Sequence, residues 1–155
     1  MILLLFHGKN HPAHLWSIKV AIEECYGPFG LKVQEWGYLH VPFQRPRLNA
    51  AKLLKYLGLS AGKDLSFWLL DGELYYPEIG GLFGCSTDRS AMLSAMGEFH
   101  ILMKESLHEV GHLLGLDHCT DVCIMNLSCS VEQAEEKSFY LCKGCSTFIR
   151  KKIEN

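Results

Sequence analysis

The sequence predicts an α/β fold in which one sheet is covered by helices and a small cysteine-rich subdomain closes the chain. Three observations carry this. Short apolar runs of strand length alternate with amphipathic stretches of helical period from Met1 to Ala95. A longer helical stretch follows, Gly97–Gly115, and beyond it the composition shifts to cysteine. Such alternation is the pattern of a sheet layered with helices. The 155 residues suit one domain, with 1–115 as the α/β part and 116–155 as the Cys-rich part.

Met1–Phe6 is an unbroken apolar run suited to a central strand. A helix is expected from about Pro12 to Tyr26, because proline suits a first helical position and Leu15, Ile18, Val20–Ile22 and Cys25 approximate one face. Gly27-Pro28-Phe29-Gly30 stops it. Leu31–Val41 alternates in part and reads as a second strand, with Pro42 and Pro46 marking a loop after it. Leu48–Leu57 reads as a second helix, with Leu53, Leu54 and Leu57 apolar. Leu65–Leu70 is a third strand, followed by a polar loop around Asp71-Gly72-Glu73. Gly80–Ser86 and Ala91–Ala95 read as two more short strands. The glycines of 80–84 lack the Lys-Ser/Thr ending of a phosphate loop, so that function is rejected. The helix over Gly97–Gly115 has Leu102, Leu107, Val110, Leu113 and Leu114 as its apolar side, and Glu132–Lys137 is a short helix.

Composition removes several function classes. A net charge of −2 and a pI of about 6.4 give no electrostatic reason to expect nucleic acid or a membrane surface as partner. No positive charge precedes the apolar Ile2–Phe6, which is too short for a signal-peptide core, and no run approaches the roughly 20 residues of a membrane span. A cytoplasmic monomer is expected. Seven cysteines in a reducing compartment point to metal or free thiols. Cys25 and Cys85 read as buried small apolar residues, and Arg150-Lys151-Lys152 as a solvated tail.

The chemistry concentrates in His108-Glu109-Val110-Gly111-His112-Leu113-Leu114-Gly115-Leu116-Asp117-His118. Residues four apart share a helical face, so His108 and His112 can reach one ion. Glu109 is offset around the helix, beside the metal rather than on it, where a general base belongs. Gly115 supplies the left-handed stop that lets the chain turn and bring His118 to the same ion. Three protein ligands leave a fourth position for water and substrate, which marks a catalytic zinc. The pattern therefore predicts a zinc-dependent peptidase acting on peptide or protein chains.

Cys119, Cys123, Cys129, Cys142 and Cys145 follow. Cys142-Lys143-Gly144-Cys145 has zinc-knuckle spacing, and Cys119 with Cys123 forms a looser pair. Four thiolates would make a closed, structural site, with Cys129 as an alternative ligand in place of Cys119 or Cys123.

The run from His108 to Cys145 resembles the archaemetzincin signature: H-E-x-x-H-x-x-G-x-x-H-C, a further Cys, C-x-M supplied by Cys123-Ile124-Met125, then a distant C-x-x-C. This chain has three residues between the first two cysteines where the family pattern has four, and its stretch from Met125 to Cys142 is one residue shorter. The resemblance implies a metzincin-like fold, a twisted mixed five-stranded sheet with an antiparallel edge strand near Gly80–Ser86 that pairs with substrate. It implies a Met-turn at Met125, and aminopeptidase-type or limited endopeptidase activity. It also implies two zincs, one catalytic on His108, His112 and His118 and one structural on Cys119, Cys123, Cys142 and Cys145.

Two other readings compete. One is a zinc-binding interaction protein that keeps the fold without cleaving, against which the intact Glu109 argues. The other is a histidine metal buffer built on His7, His11 and His14, whose register Pro12 breaks. His100, Tyr140 and Asn126 are expected in packing or surface roles.

Overall fold

A computed structural model of the protein describes residues 1–9, 13–42 and 46–154. The main sheet contains β1 (Ile2–His7), β2 (Lys32–Tyr38), β4 (Leu65–Leu70), β7 (Gly84–Ser86) and β8 (Ser90–Ser94), and a second, smaller sheet begins with β3 (Arg47–Asn49). The order in the main sheet is β2-β1-β4-β8-β7. Its first four strands run parallel, and β7 closes the edge antiparallel to β8. β1, β4 and β8 lie inside the sheet and are buried almost throughout, as suits the apolar stretches Leu3–Phe6, Phe67–Leu70 and Ala91–Leu93. Ser66 and Ser90 are buried in adjacent strands, and the Ser66 hydroxyl donates to Ser90 Oγ at 2.9 Å.

Helices cover both faces. Leu3, Leu5, Phe67, Leu69 and Leu93 point to the side of α1 (Leu15–Tyr26) and α3 (Phe99–Leu113). Leu4, Phe6, Trp68, Leu70 and Met92 point to the side of α2 (Ala50–Ala61). Leu116, Ile124, Met125 and Ile149 belong to the first of these clusters, so the C-terminal part shares the core beneath α3.

Several boundaries differ from the sequence reading. Leu48 lies in β3, not in a helix. Asn49 accepts a hydrogen bond from Lys52 N–H at 3.1 Å and so starts α2, which continues to Ala61. Pro12, the expected helix start, lies outside the described residues, and α1 begins at Leu15. Gly80–Ser86 is not one strand. It divides at Phe83 into β6 (Gly80–Leu82) and β7, which belong to different sheets. The polar loop after β4 is shorter than expected, because β5 (Glu73–Tyr76) forms there and joins β3 and β6 in the small sheet. A short helix, α4 (Val131–Glu136), is capped by Ser130, whose side chain accepts from Gln133 N–H.

Arg150, Lys151 and Lys152 are exposed, as expected, but they belong to a helix and not to a loose tail. That helix is α5 (Lys143–Glu154), held by buried Ile149 and by Lys152, whose ammonium donates to the Leu114 carbonyl at 3.2 Å. Among the described residues, no helix is long and apolar enough to cross a membrane.

Candidate metal centre and active site

α3 carries the first two histidines into the core. His108 is buried, His112 half-buried and His118 exposed at the mouth of a cleft of about 800 Å³. The helix ends where Gly115 adopts φ +86°, with Gly115 N–H donating to His112 O at 2.8 Å and Leu116 N–H to Gly111 O at 3.0 Å. These paired bonds are a left-handed helix stop. They turn the chain so that the His118 ring lies 5.3 Å from that of His108 and 4.9 Å from that of His112, centroid to centroid. One ring nitrogen from each histidine lies within 4.8 Å of the others.

Hydrogen bonds set the tautomers. His108 Nδ1 donates to the Ile124 carbonyl at 3.0 Å, and His112 Nδ1 donates to the Leu116 carbonyl at 2.7 Å. A carbonyl only accepts, so in each neutral ring Nε2 carries the lone pair. The two Nε2 atoms then face each other at 3.1 Å with no proton between them. That arrangement is unfavourable unless a cation sits among them. Two ligands at about 2.0–2.1 Å from a tetrahedral zinc lie roughly 3.3 Å apart, so the donor set fits. Burial, and after it the ammonium of Lys137, holds the His108 ring down at about 3, so it stays neutral as a ligand must. Burial lowers His112 as well.

Glu109 sits beside the histidines and against β7. Its carboxyl is pushed up to about 8, chiefly by burial, although a Ser86 hydrogen bond and the Lys137 charge oppose the rise. Its Oε2 is buried and has no protein partner, so an acceptor is held ready in the cleft. Gly84 makes room for it. A Cβ there would lie 2.8 Å from Met92 O and 3.0 Å from Glu109 Oε1. Beneath the helix, Gly111 leaves space for Met125. A Cβ on it would collide with Met125 Sδ and lie 2.9 Å from the Tyr26 hydroxyl. That hydroxyl donates to Leu107 O at 2.6 Å.

The four cysteines Cys119, Cys123, Cys142 and Cys145 form a second cluster with sulfurs within 4.8 Å of one another. The Cys119–Cys142 and Cys123–Cys145 sulfur pairs are each 3.7 Å apart. This is far beyond a disulfide bond of about 2.05 Å and close to the roughly 3.8 Å edge of a tetrahedron with metal–sulfur bonds of about 2.3 Å. The N–H groups of Met125 and Cys142 donate to Cys123 Sγ, and that of Cys145 to Cys142 Sγ. The last of these favours a thiolate at Cys142. Cys129 stands apart from the cluster, exposed on the cleft wall with its N–H donating to Gln133 Oε1.

The remaining histidines are dispersed. His7 Nδ1 donates to its neighbour's carbonyl, Gly8 O, His14 lies against Phe99, and His100 makes an exposed pair with Glu135. His11 lies outside the described residues. Tyr140 and Asn126 do not line the cleft. The Tyr140 carbonyl instead accepts from Ile124 N–H, which anchors the segment holding His108. Cys25 and Cys85 are half-buried thiols, raised by burial to about 11 and about 12. Sequence reading missed Glu105 and Lys137 as neighbours of the site, and, although it placed the strand near Gly80–Ser86 there, missed the contacts of Gly84 and Ser86 with Glu109. None carries a motif, and only their folded positions bring them there.

A family model described as Peptidase family M54 matches residues 98–151. The archaemetzincin of Nanoarchaeum equitans is 35% identical over 107 residues, covering 67% of this chain and 62% of that protein. The archaemetzincin of Sulfolobus acidocaldarius is 31% identical over 151 residues, covering 86% of this chain and 82% of its own length. The crystal structure of archaemetzincin from Methanopyrus kandleri superposes with a TM-score of 0.87 at 26% identity, covering 100% of this chain and 96% of that one.

Proposed function

The chain belongs to peptidase family M54, the archaemetzincins, and on that premise we propose that it hydrolyses peptide bonds with zinc. His108, His112 and His118 hold the catalytic ion, and Glu109 is the general base. The observation that carries this is the convergence of two Nε2 lone pairs at 3.1 Å beside a buried, unpartnered carboxylate oxygen. Zinc bound there would act as a Lewis acid on a peptide carbonyl and make water easier to deprotonate. Glu109 Oε2 is the atom that takes the water proton and delivers it to the leaving amine. A cation beside Glu109 favours its carboxylate form, the form a base needs. The Nδ1 bonds to Ile124 and Leu116 keep the two helical rings from rotating.

Cys119, Cys123, Cys142 and Cys145 hold a second, structural zinc, for a total of two. The 3.7 Å sulfur spacings and the backbone N–H groups aimed at sulfur support this ligand set over one including Cys129. The substrate is a peptide or protein, trimmed at its end or cut within limits, which lies along the β7 edge. Exposed Ile79, Phe83, Met96 and Leu127 line the cleft, which favours apolar side chains in the substrate. The protein is read as one domain over 1–155, with 1–115 as the α/β part and 116–155 as the Cys-rich part. It works as a cytoplasmic monomer, without nucleic acid or membrane.

Elemental analysis and peptide turnover test the proposal together. Two zincs per chain are expected, one resisting mild chelation. Glu109→Gln is expected to keep both while losing turnover by about 10²-fold or more. Turnover by Glu109→Gln equal to that of wild type removes the base from the mechanism.

A further inference from the structure

Behind His108 lies a buried ion pair that the peptidase reading does not use. Lys137 Nζ is 2.8 Å from Glu105 Oε1, with side chains 1% and 9% exposed. The same ammonium is 3.3 Å from His108 Nδ1. Removing two charges from water costs about as much as their attraction returns, so such a pair is a poor stabiliser of a fold. Its placement calls for another account.

His108 Nδ1 has two neighbours that require opposite tautomers. The Ile124 carbonyl accepts, and so requires a proton on Nδ1 and leaves Nε2 free. The Lys137 ammonium only donates, and so would favour a lone pair on Nδ1 and a proton on Nε2. The second tautomer cannot bind a metal through Nε2. Glu105 decides between them by engaging the ammonium, one helical turn before His108. It also cancels a positive charge that would oppose a dication on the same ring. Lys104, the buried lysine of α3, takes no part. Its ammonium donates to Glu135 O and lies over the Phe139 ring.

We propose that Glu105 is a positioning residue for the metal centre: its carboxylate accepts from the Lys137 ammonium at 2.8 Å and so competes with His108 Nδ1, 3.3 Å away, for that donor, which keeps His108 in the metal-competent tautomer and offsets the ammonium's charge. This rests on His108 being a metal ligand. The test titrates zinc against a chelator of known affinity and reads the His108 tautomer in the metal-free histidine site by nitrogen-detected NMR. Glu105→Gln is expected to weaken zinc binding at the histidines by about tenfold or more and to move the proton to Nε2. Lys137→Met is expected to keep the Nδ1–H form and bind within about threefold of wild type. The double variant is expected to return to that level, because the competing donor is gone.

Glu105→Asp keeps the charge but withdraws it from Nζ. It is expected to fall between wild type and Gln, and it serves if the Gln variant does not fold. Wild-type tautomer and affinity in both position-105 variants would overturn the inference, as would a double variant as weak as Glu105→Gln. A wild-type chain that binds zinc only at the cysteines would instead sink the reading of the three histidines.

Discussion

Replacing Gly111 by alanine probes the floor beneath the metal centre. On an exposed helix the change would gain up to about 1 kcal/mol from propensity. Here the new Cβ would collide with Met125 Sδ and lie 2.9 Å from the Tyr26 hydroxyl, both in fully buried side chains. Overpacking of this kind costs about 1–3 kcal/mol. Displacing Tyr26 also breaks its 2.6 Å bond to Leu107 O, and a buried polar group left unpaired costs about 1–3 kcal/mol. The net expectation is a loss of about 2–4 kcal/mol, which for a chain of this length lowers Tm by roughly 5–15 °C. Thermal unfolding of Gly111→Ala, Met125→Ala and the pair together measures it. Met125→Ala creates a cavity that the alanine methyl partly fills, so the double variant should lose less than the sum of the singles. A Gly111→Ala variant melting within about 2 °C of wild type, or strict additivity, would refute the steric account.

Three further outcomes are expected. With the histidine site free of metal, stability should fall as pH rises from 6.5 to 8. Glu109 titrates near 8 in the fold against about 4.5 unfolded, so the native state binds the extra proton, while His108, lowered from 6.5 to about 3, opposes this only below 6.5. Denaturant titrations should show a slope of at most about 1.4 kcal/mol per pH unit that disappears in Glu109→Gln, and a slope unchanged by that variant contradicts the assignment. Gly115→Ala should cost about 1–2 kcal/mol from its left-handed backbone. Adding Lys152→Met should recover only the part due to the collision of the new Cβ with Lys152 Nζ, and full recovery in thermal melts would exclude the backbone cause. Cys142→Ser with Cys145→Ser should remove one zinc by elemental analysis and also weaken the histidine site, since Cys119 adjoins His118 and its N–H donates to Met125 O. An unchanged affinity at the histidines would uncouple the two centres.

The chain order already displays what depends on neighbours a few residues apart. The burial of β1 and β4 follows from their apolar runs, and the pairing of His108 with His112 follows from the helical repeat. The stop at Gly115 follows from the one residue type that accepts φ +86° without strain. The spacing of the cysteines likewise left only Cys129 in competition, and folding sets that residue on the cleft wall. Local signals erred where tertiary pairing overrode them. Glu73 looked like part of a polar loop and Leu74–Tyr76 carried no assignment, yet Glu73–Tyr76 is the central strand of a small sheet because β3 and β6 flank it. The basic residues at the end are exposed as read, but their helix, α5, went unread, and its anchoring through Ile149 and Lys152 depends on the distant core and Leu114 O. The meeting of Glu105 with Lys137, of Gly84 with Glu109 and of Gly111 with Met125 leaves no trace in any window of sequence. These contacts join segments from 14 to 32 residues apart, and periodicity reports only which face a residue occupies, not which distant atom that face will touch.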